Sequence, residues 1–149
     1  MKASECMSVV VRFVEPETSI REASALMGKA EIGILPVAGK DRLVGILTDR
    51  DIVVRAIAAG KDPNCPVKDV MTPEVKYCFD NESVEDVARR MIELQIRRIP
   101  VVDQDRILVG IISLSDIVTA CDYEVAGRTI TGITRPGGLR SQEAAEMTA

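Results

Sequence analysis

The chain contains no histidine and no tryptophan, and only two tyrosines and two phenylalanines among its 149 residues. The missing imidazole excludes Ser–His and Cys–His nucleophilic machinery, His-ligated zinc and an unperturbed histidine pH switch. With aromatics at 3%, the core has to be aliphatic, and stacking on nucleic-acid bases is not expected as a main activity. The cysteines at 6, 65, 78 and 121 form no Cys-x-x-Cys pair. That removes thioredoxin-type and zinc-ribbon readings and leaves small buried hydrophobes in a reducing compartment. No apolar run approaches the roughly 18 residues of a membrane span. Lys2-Ala3-Ser4-Glu5 leads into no sustained apolar stretch, so no signal peptide is read. The expectation is a soluble cytoplasmic protein. A strong positive field is also missing: the net charge is −4, which argues against nucleic acid as a partner.

What is present is a globular composition, 46% hydrophobic and 28% charged, able to bury a core. The chain also repeats itself. Met7 aligns with Met71, Val11 with Val75, Ser19 with Ser83, Met27 with Met91, Ile32 with Ile96, and Pro36-Val37 with Pro100-Val101, all 64 residues apart. After Asp41-Arg42 and Asp105-Arg106 the second copy gains one residue. Val44-Gly45-Ile46 then matches Val109-Gly110-Ile111, and Asp51-Ile52-Val53 matches Asp116-Ile117-Val118. Repeats fix architecture, so this pattern leads the reading. The copies span 5–60 and 67–121, with a polar, proline-bearing linker at 61–66 and an unrepeated tail at 122–149.

Each copy reads as β-α-β-β-α. Val9-Val10-Val11 and Val75-Lys76-Tyr77 start extended segments. Ser19 with Glu22, and Ser83 with Asp86, are capping boxes that open helices. Ile20, Ala23, Met27 and Ala30 follow at helical spacing, as do Val84, Val87, Met91 and Leu94. Paired apolar runs around short polar turns, 34–37 with 43–47 and 99–102 with 107–112, predict hairpins. A last helix carries Ile52, Val53, Ala56 and Ile57 up to Gly60; its counterpart carries Ile117, Val118 and Cys121. The fold class is α/β (α+β), with the two units burying their sheets as a pseudo-two-fold pair. Clefts between such halves suit small ligands. In the tail, Val125, Ile130 and Ile133 are expected to pack, and the remainder to be mostly mobile.

Asp69-Val70-Met71-Thr72, the Ile-Pro-Val runs, and the segments Gly45-Ile46-Leu47-Thr48-Asp49-Arg50-Asp51 and Gly110-Ile111-Ile112-Ser113-Leu114-Ser115-Asp116 resemble the CBS domain, named for cystathionine beta-synthase. The resemblance covers about 115 of the 149 residues and implies a tandem CBS pair. Such pairs are regulatory modules that bind adenosine-containing ligands: AMP, ADP, ATP, S-adenosylmethionine or NAD. No obligatory cofactor and no metal are implied.

The residues fit that implication. Thr48 and Ser113 stand where a strand becomes a helix N-terminus, a place that favours anions. Asp51 and Asp116 lie in the first turn, where a carboxylate accepts from ribose hydroxyls. Thr48-x-x-Asp51 and Ser113-x-x-Asp116 also read as plain capping boxes. The resemblance further implies that each cleft combines the Thr/Ser–Asp motif of one repeat with the first strand, and the residues before Pro-Val, of the other. One cleft would join Ile46, Thr48, Arg50 and Asp51 to Met71, Lys76, Ile96, Arg97 and Arg98. The second would join Ile111, Ser113 and Asp116 to Met7, Arg12, Ile32, Gly33 and Ile34. Arg97-Arg98 before Pro100 suits phosphates, whereas Gly33-Ile34 before Pro36 does not.

The expected function is non-enzymatic: a sensor of adenine nucleotides that signals through shape or oligomer change to an unknown effector protein. Each cleft offers one Asp and no clustered carboxylate set, which argues against hydrolysis. The alternative is an adaptor with vestigial clefts that acts through protein–protein contact. A homodimer is expected, with Ile20/Met27 and Val84/Met91 as helix faces free to pair between copies.

Overall fold

A computed structural model of the chain describes residues 1–9, 12–40 and 42–135. Val10 and Val11, read above as part of a first extended segment, lie outside the described residues. So does Asp41 of the first turn, as does the tail from residue 136.

The element order is α1 (Ala3–Cys6), α2 (Ile20–Ala30), β1 (Ile34–Gly39), β2 (Arg42–Thr48), α3 (Asp49–Asp51), a π-helical stretch (Ile52–Ile57) and a 3-10 turn (Val67–Asp69). It continues with β3 (Cys78–Phe79), α4 (Val84–Leu94), β4 (Arg98–Val102), β5 (Leu108–Ser113), α5 (Leu114–Ala120) and α6 (Tyr123–Thr134). The chain divides into two compact halves. One holds Val10–Lys76 with Asp105–Leu108. The second holds Met1–Val9, Tyr77–Gln104 and the chain from Val109 onward.

In the first half, β1 and β2 pair antiparallel, Ile34 opposite Thr48 and Val37 opposite Gly45. Val14 bridges Val37 in parallel on one side, and Thr72 bridges Ile46 antiparallel on the other. Helix α2 begins where Ser19 Oγ accepts the Glu22 amide proton at 3.1 Å. It ends at Glu31, a left-handed cap with φ 55°. Its stripe Ile20, Ala23 and Met27 is buried with Leu35, Val37, Leu47, Ile52 and Ala56, and with Val67 and Val70 from beyond the linker.

The second half repeats this plan. β3 pairs parallel with β4 through Cys78–Val101 and Phe79–Val102, β5 lies beside β4, and Ser8 bridges Ile111. Ser83 Oγ caps α4 by accepting from the Asp86 amide at 3.2 Å, and Gln95 ends it at φ 52°. Val84, Val87, Ala88 and Met91 are buried with Ile99, Val101, Ile112 and Ile117, and with Ala3 of the N-terminal helix.

Several expectations are corrected. In the second copy the ladder with β4 begins at Cys78 rather than at 75–77; in the first, Val14 pairs with Val37. The Ile20/Met27 and Val84/Met91 faces are buried, Val84 and Met91 completely. Each helix has a single apolar stripe, its own sheet takes that stripe, and none is left for another copy of the chain. In the last helix of the first half only Ile52 and Ala56 face the core, while Val53 and Ile57 are exposed. The start of the tail is a full helix. Asp122 caps α6 by accepting from the Val125 amide at 2.9 Å, and α6 buries Ala126, Thr129 and Ile133, leaving Ile130 exposed.

Candidate functional site

Each half carries one Thr/Ser–Asp motif at the end of a strand. In the first, Thr48 holds an extended backbone, φ −114° and ψ 160°, so the chain leaves β2 and turns at once into a helix. The Thr48 amide donates to Asp51 Oδ2 at 2.9 Å, and the Asp51 amide donates to Thr48 Oγ1 at 3.1 Å. The box is closed on both sides, and it uses only one carboxylate oxygen. Capping and ligand binding are therefore compatible, because Oδ1 stays outside the box.

The strand beneath the motif is fixed by the segment after the linker. Ile46 and Thr72 exchange both backbone hydrogen bonds, at 3.0 and 2.8 Å. Met71 lies across Gly45 so closely that a Cβ there would overlap its sulfur. This close approach explains why glycine precedes Ile46. Gly33 is just as confined: its carbonyl accepts from the Asp49 amide at 2.9 Å, and a Cβ there would stand 2.8 Å from Asp49 Oδ2. Ile32 and Ile34 are half-buried, whereas Arg12, Arg50 and Lys76 are exposed.

The second half builds the same motif from other side chains. The Ser113 amide donates to Asp116 Oδ2 at 2.7 Å, and the Asp116 amide donates to Ser113 Oγ at 3.2 Å. Ser8 and Ile111 exchange backbone bonds at 2.9 and 3.1 Å, and Met7 lies across Gly110. The Leu114 amide donates to the Arg97 carbonyl at 2.8 Å, which seats Arg97 by its backbone on the first turn of α5. Ile96 is half-buried; Arg97 and Arg98 are exposed. Beside this motif the Cys6 thiol is pushed up to about 11, by burial first and then by the charges of Asp116 and Cys121.

The structure thus brings Ile46, Thr48, Asp51 and Met71 together in the first half, and Met7, Ile111, Ser113 and Asp116 together in the second. Ile96, Arg97 and Arg98 belong to the second half; Arg12, Ile32 and Ile34 belong to the first. One contact was not read from the sequence. Arg55 sits four residues after Asp51, with Nε 3.9 Å from Oδ1, and its Nη1 donates to the carbonyls of Val70 at 3.4 Å and Met71 at 3.3 Å. The i,i+4 spacing of Asp51 and Arg55 was the available signal. Among the described residues no group of acidic, Cys or His side chains is arranged to hold a metal ion, and no helix is long and apolar enough to cross a membrane.

Comparison with known proteins bears on this geometry. The CBS-domain family model matches twice, at residues 3–57 and 67–123. The chain is 41% identical over 131 residues to the CBS domain-containing protein YhcV of Bacillus subtilis, covering 87% of this chain and 93% of that protein. It is similar to the crystal structure of CBSX2 in complex with AMP, at 30% identity and a TM-score of 0.71, covering 80% of this chain and 94% of that one. It is also similar to the CBS domain pair of protein MJ0100 in complex with 5′-methylthioadenosine and S-adenosyl-L-methionine, at 31% identity and a TM-score of 0.68, again over 80% of this chain and 94% of that one. With two motif-bearing halves in α/β order and two matches to one family model, the chain belongs to the CBS-domain family as a tandem pair.

Proposed function

We propose that this chain is a non-enzymatic sensor of adenosine-containing ligands of the AMP, ADP and ATP class. In this reading Asp51 Oδ1 and Asp116 accept from ribose hydroxyls, the Thr48 hydroxyl donates to the ligand, and the Ser113 hydroxyl turns from Asp116 Oδ2, to which it donates at 2.7 Å, to do the same. Ile46 with Met71, and Ile111 with Met7, supply apolar surface and strand backbone for adenine. The cationic Arg97 and Arg98 favour a di- or triphosphate, whereas Ile32 and Ile34 favour a less charged adenosyl ligand. The observation that carries the reading is the carboxylate oxygen that each capping box leaves over: the box holds the group in place yet consumes one oxygen only. Similar CBS proteins hold AMP, or methylthioadenosine and S-adenosylmethionine, which supports the ligand class.

Binding shifts a conformational or oligomeric equilibrium to the extent that the ligand prefers one state, and a separate effector protein receives the change. A homodimer is part of this proposal, and light scattering with and without nucleotide tests it. For the site itself the test is calorimetric titration of ATP and AMP into the parent and Asp51→Ala. Loss of a charged hydrogen-bond acceptor should cost about 1.5–3 kcal/mol, roughly 10- to 150-fold in affinity. Equal binding by Asp51→Ala overturns the assignment of the first site.

A further inference from the structure

Thr48 and Asp51 are followed by a helix that is not α-helical. From Ile52 to Ile57 it widens into a π-helix, closed at its end by bonds from the Ala58 amide to the Val53 carbonyl and from the Lys61 amide to the Ala56 carbonyl, each 2.9 Å. The second half has an ordinary α-helix, α5, at the same place. π-helical turns are rare and concentrate where function needs them. Here the widened turn carries Arg55. Its guanidinium faces Asp51 Oδ1 on one side and the carbonyls of Val70 and Met71 on the other. The residue in the corresponding place of the second repeat is Ala120, and among the described residues Asp116 has no ion-pair partner.

Val70 and Met71 open the segment that runs from the first half to Tyr77, where the second begins. Arg55 therefore joins the first motif carboxylate to the segment by which the chain leaves the first half. The oxygen it faces is also the one the box leaves free, since Oδ2 is taken by the Thr48 amide. A hydroxyl arriving on Oδ1 has to share it with Arg55.

We infer that Arg55 is a positioning residue that couples ligand at Asp51 to the connecting segment 70–76: a ribose hydroxyl on Oδ1 displaces the guanidinium, which releases the Val70 and Met71 carbonyls. This rests on the adenosine-ligand reading of the first site. It adds that this site alone is wired to the connection, because the second repeat has no counterpart of Arg55. Linkage fixes the sign. A ligand that favours the released state must bind at least as well when the brace is removed, whereas a merely structural arginine would lower affinity when lost.

The test is hydrogen exchange by mass spectrometry on peptides covering 67–76, with AMP as probe, in the parent, Arg55→Ala and Arg55→Lys, alongside calorimetry of AMP. In the parent, AMP should speed exchange of the Met71 and Thr72 amides, which now donate to the Val67 and Ile46 carbonyls. In Arg55→Ala that exchange should be fast without ligand and unchanged by AMP, and AMP affinity should equal the parent's or exceed it by about threefold. Arg55→Lys keeps the charge without the fork and should fall between the two. If Arg55→Ala binds AMP several-fold more weakly, or if AMP still speeds exchange in it, the coupling is overturned while the binding site stands. If the parent binds no AMP at all, the coupling fails as stated, while the ligand reading is decided by ADP and ATP as well.

Discussion

At the scale of single residues, two glycines explain much of the site. Gly45 and Gly110 precede the isoleucines of the motif strands, and a methionine lies across each. The two substitutions to alanine should not be equal. At Gly45 the atoms nearest the new Cβ all belong to the Met71 side chain, which can swing away. At Gly110 it meets Met7 and also the Ser8 carbonyl, a backbone atom 3.0 Å away, held by its bond to Ile111. Gly110→Ala should therefore cost about 1–3 kcal/mol and Gly45→Ala less, as read from urea denaturation midpoints. Cys78 makes a pH prediction. Burial above all, with the Glu82 charge adding to it, pushes its thiol from an ordinary 9.0 up to about 12. The folded state then holds a proton that the unfolded state gives up. Stability present below pH 9.0 should fall as the pH rises through the folded value near 12. Cys78→Ala should flatten that alkaline loss in pH-dependent unfolding; an unchanged slope would rule Cys78 out as its source.

At the scale of elements, the boundaries of helices α2 and α4 were legible because serine caps and apolar spacing agreed. Ile20, Ala23 and Met27, and Val84, Val87 and Met91, are the residues that pack. The hairpin of β1 and β2 was legible for the same kind of reason: two apolar runs flank a polar turn. The owner of each first strand was legible through the family resemblance and not through spacing. Spacing shows that Met7 repeats as Met71, but not that Met7 closes on β5 and Met71 on β2, since non-local pairing of Ser8 with Ile111 and of Ile46 with Thr72 leaves no local mark. The π-helix was equally silent, because i→i+5 bonding has no periodic signature in six residues. Met91, fully buried in the core of the second half, gives a direct test of packing. Met91→Ala should destabilise by about 2–5 kcal/mol through the cavity it leaves, measured by thermal or urea unfolding.

At the scale of the whole molecule, the two halves repeat one plan and differ in what covers it. In the second half α6 lies against α4 and α5, so close that a Cβ on Gly132 would stand 2.5 Å from Ile92. The residue corresponding to Ile92 in the first half is Gly28, with open space where a Cβ would go. A chain ending at Asp122 should therefore lose stability in its second half, with exchange protection falling in α4 and α5 and staying near the full-length level in α2. Equal losses in both halves would contradict the placement of α6. The motif residues were legible at this scale because they occur twice, in the same order after Gly-Ile. Arg55 escaped notice because it occurs once.

A thermal-shift panel of AMP, ADP, ATP, NAD and S-adenosylmethionine asks whether the motif carboxylates receive an adenosine ligand. A ligand that binds only the folded protein, present at about 100 times its dissociation constant, should add about 2.7 kcal/mol of apparent stability. The parent should show a clear upward shift with at least one of these compounds, and Asp51→Ala a smaller one when that ligand occupies the first site. No shift with any of them would contradict adenosine binding and leave an adaptor, acting through protein contacts alone, as the reading of this chain.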